Sequence, residues 1–252
     1  HFNYEDFFVG EEAETFKKVY KFIAGAEKRK SYWTNFVFKR WFCIYNFLKE
    51  NNIETFWTFD SDTLILTDLS NLEGFFTGID TTTQCNGICM NGFITNIRTV
   101  KGYADKINEL FQRKDYLDKQ INVLENHPSW AYTEMRAFAT FEEESGIRTQ
   151  RSNKIVAGST FDENICEGIG EFETEFNKSA NRMIKRLYFE NGQVFEKKLN
   201  TKELIKLNAI NMSWVRLPLI EKVYTYVTYG HLPTFLEKTK YFIKRVRRFI
   251  LN

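Results

Sequence analysis

An α/β fold, with a mixed central sheet flanked by helices, is predicted by three observations. A nearly apolar helical stretch at 33–48 runs at once into an aromatic, β-branched run at 55–59, the helix-then-strand order of an α/β unit. Short apolar runs punctuated by glycine follow at 74–78 and 87–95, and suit antiparallel additions to the sheet. Helical spacing of apolar residues then returns at 100–111, 116–125 and 132–144.

Composition narrows what such a fold can serve. With 252 residues, 43% of them hydrophobic and 27% charged, the chain can bury a sizeable core. We read one domain over 1–230 and a separate terminal helix over 231–252. A net charge of +2 sets up no basic field, so nucleic acid is not an expected partner. No run of about 20 apolar residues could span a membrane. There is no signal-peptide pattern, and a cytoplasmic location is expected. Cysteines 43, 85, 89 and 166 include no C-x-x-C pair, and Cys85 and Cys89 lack two further ligands at zinc spacing. Free thiols in a reducing compartment follow. Asn-x-Ser triplets at Asn177 and Asn211 point weakly to a secretory route, because such triplets are common by chance. The 17% aromatic share fits a Phe-rich core, with stacking surfaces as its functional reading.

Taken in order, a first helix is expected over 11–24, where Ala13, Phe16, Val19, Tyr20 and Ile23 share a face and Gly25 serves as the stop. The second, at 33–48, is apolar nearly all round and is expected to be buried on most sides. Asn51-Asn52 breaks it, and a buried strand follows. Pro128 precedes the helix at 132–144, which carries Glu134 in its first turn and Gly146 as its cap. Asn191-Gly192 between runs at 184–189 and 193–197 predicts a type I′ hairpin. From 234 onward, Phe235, Tyr241, Phe242, Val246, Phe249 and Ile250 alternate with six cations to make a basic amphipathic helix. It suits either packing with a solvated basic face or peripheral association with an anionic membrane through 234–252.

The strand at 55–59 ends in Asp60-Ser61-Asp62, and two carboxylates at the edge of a core are unfavourable unless something neutralises them. On extended chain Asp60 and Asp62 project the same way, so they can share a hard cation such as Mn²⁺ or Mg²⁺, or a cation and a sugar hydroxyl. Such an ion keeps positions open for a diphosphate. Asp80, before Thr81-Thr82-Thr83, is read as a loop cap.

These residues resemble the nucleotide-sugar-dependent glycosyltransferases of the GT-A (nucleotide-diphospho-sugar transferase) fold, bacterial and viral polysaccharide enzymes above all. Arg40-Trp41-Phe42 followed by Phe56-Trp57-Thr58-Phe59-Asp60-Ser61-Asp62 looks like that group's aromatic helix, strand and D-x-D. Asn91-Gly92-Phe93, Glu134-Met135 and the segment 207–212 resemble its later motifs. The likeness covers roughly residues 30 to 220.

The resemblance implies transfer of a sugar from a nucleoside-diphosphate sugar, a UDP-sugar favoured, to a hydroxyl of a glycan acceptor. It assigns the metal to Asp60, Asp62 and Asn211, and the donor to Asp60, Asn91, Gly92 and Trp214. Glu134 and Asp60 are the catalytic candidates, Glu134 as general base. Where the family usually presents a histidine this chain has Asn211, a neutral oxygen ligand. The first nucleotide-binding strand of the family is not found before the helix at 11–24, and is expected either ahead of His1 or replaced by an unusual pocket. Glu134 also suits a helix dipole and Asn91 a turn, while Trp57 and Trp214 read as core residues ahead of stacking on a base or sugar. Two alternatives stand beside this reading. A non-catalytic nucleotide- or sugar-binding relative is suggested by Asn211, whereas a haloacid-dehalogenase-type phosphatase lacks its downstream Lys and G-D-x-x-x-D cluster.

Overall fold

Asp60, Asn71 and Asn153 are where the chain crosses between two compact units in a computed structural model that describes residues 2–27, 31–178, 180–215, 217–232 and 234. His1–Phe59 and Asn71–Ser152 form the first unit, and Asp60–Ser70 and Asn153–Asn252 the second. The division runs through the span 1–230. The chain is mixed α/β, with separate sheets in the two units.

In the first unit, α1 (Gly10–Val19) opens with Glu11 and Glu12 and closes with Lys17 and Lys18, charges that complement the helix dipole. It stops short of the expected 24. Ile23 to Gly25 instead pair as extended chain with residues 130–132, and Gly25 is needed for a close approach, since a Cβ there would overlap the Pro128 backbone. Helix α2 (Ser31–Glu50) buries Thr34, Val37, Phe38, Trp41, Phe42 and Leu48 at helical spacing and ends at Asn52, which adopts φ of 54°. The strand β1 (Phe56–Thr58) is only half-buried, against expectation, because it lies at a sheet edge.

A 3-10 helix at Leu69–Phe76 replaces the strand expected at 74–78. Strand β3 (Thr81–Gln84) is buried throughout, as is β4 (Cys89–Ile94), and it lies between β4 and β5 (Thr149–Arg151). It pairs antiparallel with β4 and parallel with β5, so the sheet is mixed, in the order β1-β4-β3-β5. Asp80, read as a loop cap, instead precedes β3, and its carboxylate accepts the distant backbone N–H of Arg148 at 2.8 Å. Helices α3 (Ile97–Gln112), α4 (Lys114–Glu125) and α5 (Glu134–Ser145) follow, and Gly146 closes α5 in the left-handed conformation. Phe16, Phe38, Trp41, Phe42, Tyr103, Phe111, Tyr132 and Phe138 interlock in the core.

The second unit is built on β11 (Leu204–Asn211), which pairs with β2 (Thr63–Ile65), β10 (Gln193–Lys197) and, in parallel, β6 (Ser159–Asp162). The hairpin from β9 (Tyr188–Glu190) to β10 turns at Asn191 and Gly192 with φ of 48° and 73°, as a type I′ turn requires. The run expected at 184–189 is divided, because β8 (Arg182–Lys185) pairs with β7 (Thr174–Asn177) in a sheet of its own. Helix α6 (Leu217–Tyr229) buries Leu219, Val223 and Tyr226. All four cysteines are free. No helix among the described residues is long and apolar enough to cross a membrane. Beyond Thr234, the basic helix expected over 231–252 lies outside the described residues.

Candidate functional site

The pairing of β2 with β11 sets Thr63 opposite Asn211 and so brings Asp62 to residues 211–213, about 150 positions away in sequence. The Met212 N–H donates to the Asp62 carbonyl at 2.8 Å, and the Ser213 hydroxyl donates to Asp62 Oδ2 at 2.7 Å. Asn211 is buried, and its Oδ1 accepts the Ser213 N–H at 2.9 Å. Val215 N–H then returns to the Met212 carbonyl at 3.2 Å, closing a turn. That turn holds Trp214 outward, 72% exposed, with φ of 68°. The core position read for Trp214 is thus corrected, since a left-handed backbone in the turn directs its ring to solvent.

Asp60 and Asp62 do not project from a strand by alternation. The Thr63 N–H donates to the Asp60 carbonyl at 2.9 Å, so both carboxylates sit in a turn between β1 and β2, Asp60 half-buried and Asp62 exposed. Among the described residues, Asp62 engages only its Oδ2, leaving Oδ1 open to a ligand.

Ser213, Cys166 and Arg182 surround this turn and were not singled out in the sequence. The Cys166 thiol faces the Ser213 carbonyl oxygen at 3.6 Å. Burial pushes that thiol up, while the neighbouring Arg182 guanidinium pulls it down. Arg182 in turn covers the Trp214 ring, 5.6 Å from its centroid. The sequence did carry one signal for Ser213. The Asn211-Met212-Ser213 triplet is an Asx turn, not a glycan acceptor, because Asn211 is buried. The other triplet is similar in its start, with Asn177 Oδ1 accepting the Ala180 N–H at 2.9 Å.

Beneath the turn lies a buried ionic group. Lys185 donates to Asp162 Oδ1 and stands 3.9 Å from Glu196 Oε2. One cation faces Asp162 and Glu196, with buried Glu163 also acting on it, an excess of negative charge in a low-dielectric interior. Burial accordingly pushes Glu196 up to about 8, and Asp162 is also raised by burial. Burial would lower Lys185, but it is raised, because Asp162, Glu196 and Glu163 together outweigh that burial.

The remaining candidates belong to the first unit. Glu134 is buried, and Oε1 accepts from Arg40 at 3.1 Å while its backbone carbonyl accepts from Tyr103 at 2.5 Å. Ion pairing to Arg40 accounts for this carboxylate without a role as base. Asn91 and Gly92 lie inside β4 and not in a turn. Asn91 donates to Gln84 Oε1 at 2.8 Å, and a Cβ at Gly92, where φ is 96°, would overlap Thr82 Oγ1. Both are accounted for by packing. Trp57 is half-buried and donates to Glu73 at 3.2 Å.

Can Asp60, Asp62 and Asn211 hold a divalent ion? Among the described residues no group of three or more His, Cys, Asp or Glu side chains could hold a metal ion, so no closed cage of protein ligands exists. The chemistry of the donors fits the open kind of site, in which Mg²⁺ or Mn²⁺ takes one or two carboxylates and keeps its other positions for water and phosphate oxygens. Asp62 supplies the open Oδ1, and Asn211 only whatever its Oδ1 retains beside the Ser213 N–H. No protein-family model matches the chain, and no curated protein or solved structure is significantly similar to it.

Proposed function

We propose that the chain is a metal-dependent glycosyltransferase of the GT-A kind, moving a sugar from a nucleoside-diphosphate sugar to a hydroxyl of a glycan. What supports this reading is the meeting of Asp62 with residues 211–213, the segment that the resemblance paired with Asp62 at one ion. Asp62, with Asp60 beside it, would hold Mn²⁺ or Mg²⁺. When bound, that ion would offset the charge growing on the departing diphosphate. Ser213 orients the Asp62 carboxylate through its hydroxyl, leaving the other oxygen facing the ligand. Of the two carboxylates expected to act, Glu134 has its Oε1 engaged by Arg40, and Asp60 shares the turn of Asp62.

The test is nucleotide release from UDP- and GDP-sugars in the presence of Mn²⁺. Asp62→Ala is expected to lower turnover by about a hundredfold or more, the scale on which removing one group that stabilises developing charge acts. An active preparation indifferent to Asp62→Ala would sink the metal role.

A second reading, a non-catalytic nucleotide- or sugar-binding relative, is favoured by one observation: Asn211 engages its oxygen in the Ser213 turn. Any genuine sugar transfer by the unaltered chain eliminates it. Nucleotide binding without turnover, converted to turnover by Asn211→His, would support it.

A further inference from the structure

Lys185, Asp162 and Glu196 come from three strands of the second unit and meet in its interior, Asp162 closing β6, Lys185 closing β8 and Glu196 lying within β10. Lys185 is 7% exposed and each carboxylate 2%, so bulk water is kept from all three. The backbone fixes the two strand ends together, since Lys185 N–H donates at 2.8 Å to the carbonyl of Ile165, just beyond Asp162 in the chain. The Phe172 ring stands 5.2 Å from the lysine nitrogen, and a Cβ at Gly168 would lie 3.4 Å from Lys185 Cε. An amine and a carboxyl group are thus held in contact under cover, with a second carboxyl group 3.9 Å from the amine.

An ordinary ion pair leaves this group poorly satisfied. Asp162 Oδ2 and Glu196 Oε2 have no hydrogen-bond partner among the described residues, although a buried carboxylate needs several. For a buried pair the desolvation penalty can exceed the attraction between the charges. Passing one proton from Lys185 to Asp162 removes both charges and sets a free amine against a neutral carboxylic acid, the two reactants of an amide. Burial favours the acids, since it raises Asp162 and holds Glu196 protonated up to about 8. The surrounding carboxylates hold the lysine proton, so the free amine is a minority form, and fixed contact with the acid offsets its scarcity.

We propose that Lys185 and Asp162 condense into an intramolecular amide that joins β8 to β6, with Glu196 carrying the proton. The Lys185 nitrogen attacks Asp162 Cγ, and Glu196 takes a proton from that nitrogen through one oxygen while giving its own to the departing Asp162 hydroxyl. The N–C bond forms, the C–O bond breaks, one water leaves, and Glu196 ends as it began. Nothing is oxidised or reduced. The amide replaces two buried charges with a neutral group and closes 163–184 into a ring, a constraint of the kind a disulfide supplies, in a chain whose four cysteines are free. Lys185 and Asp162 titrate only while the bond is unmade, whereas Glu196 titrates in either form.

Intact mass spectrometry of the full chain, folded and incubated at neutral pH and then denatured, tests the bond. The unaltered chain is expected to be lighter than its sequence by one water, and proteolysis to yield a branched peptide joining the segment of Asp162 to that of Lys185. Lys185→Arg keeps the cation but has no amine to acylate, and is expected to stay at full mass. Glu196→Gln is expected to slow bond formation by about a hundredfold, the scale of general acid–base catalysis. Full mass in the folded, unaltered chain overturns the proposal and leaves an ion pair, a result that needs no variant to fold. Loss of water without the branched peptide overturns it equally, since it marks a cyclised aspartate elsewhere. Bond formation at an unchanged rate in folded Glu196→Gln overturns Glu196 as the proton carrier. None of these outcomes depends on whether the chain transfers sugars.

Discussion

Trp41 in the first unit and Trp214 in the second are the same side chain in opposite circumstances, one 1% exposed and the other 72%. Around Trp41 the first unit is a mesh of rings: Tyr103 lies 5.3 Å from it, edge-on, and Phe138 lies 5.5 Å from Tyr103. Around Trp214 the second unit offers hydrogen-bonded turns, an arginine and, deeper in, a lysine with two carboxylates. Burial of rings stabilises without regard to pH or to ligand. Polar and charged groups held at a surface or in an interior stabilise less, but they can respond to protons, ions and anions. The contrast teaches where to look for chemistry in this protein, and three experiments press on it.

The largest effect is expected at Trp41→Ala. Removing a fully buried indole loses its transfer free energy and leaves a cavity among rigid rings, about 3–5 kcal/mol, read as a shift in the urea midpoint. A loss below about 1 kcal/mol would mean that the ring mesh collapses around the gap and does not behave as a rigid core.

The second effect sets the pH-silent mesh against the ionic group. Glu196 is held at about 8, well above the ordinary carboxylate range, chiefly by burial. A raised folded value means that this group's contribution is complete below the ordinary range and is lost as pH rises from there through about 8. Asp162 and Lys185, both raised, act in the same direction. Stability of the second unit should therefore fall with rising pH in that window, by at most about 1.4 kcal/mol per pH unit from Glu196. Glu196→Gln should flatten the fall, and urea titrations at several pH values read it. An equal slope in the variant would show that Glu196 is ionised in the folded chain.

The smallest effect on stability belongs to Trp214→Ala, expected within about 0.5 kcal/mol because the ring is mostly in water. Chemical denaturation should barely distinguish it from the unaltered chain. A large loss of stability would make Trp214 a packing residue after all and remove the contrast with Trp41.

Legibility from sequence tracks how local the governing force is. Helices α2 and α3 and the Asn191-Gly192 turn were readable because helical periodicity and left-handed turn residues act within a few positions. Thr81-Thr82-Thr83 gave no strand signal in the sequence, where Asp80 before it read as a loop cap, yet it is a buried strand with β4 and β5 on either side. The Thr82 hydroxyl looks polar in sequence and is satisfied by a tertiary partner, donating to the Asn91 carbonyl at 2.6 Å. Gly74 and Gly78 bracketed an apolar run that suited a strand as well as the 3-10 helix it forms, since a short apolar run has no period of its own.

The candidate site divides the same way. Sequence alone singled out Asp60 and Asp62, because two carboxylates beside an apolar run are costly wherever they fall, and it marked the 207–212 segment by resemblance. Composition also determined that the chain has a large aromatic core, since so many rings cannot all remain in water. Only the tertiary structure decided that Ser213 holds Asp62, that Glu134 answers to Arg40, and that Trp214 is on the surface beside Arg182. The reason is physical. The cost of an unpaired charge or an exposed ring belongs to a residue and can be read from it, whereas the partner that relieves that cost arrives from strands and turns far away in sequence, and strand pairing selects it.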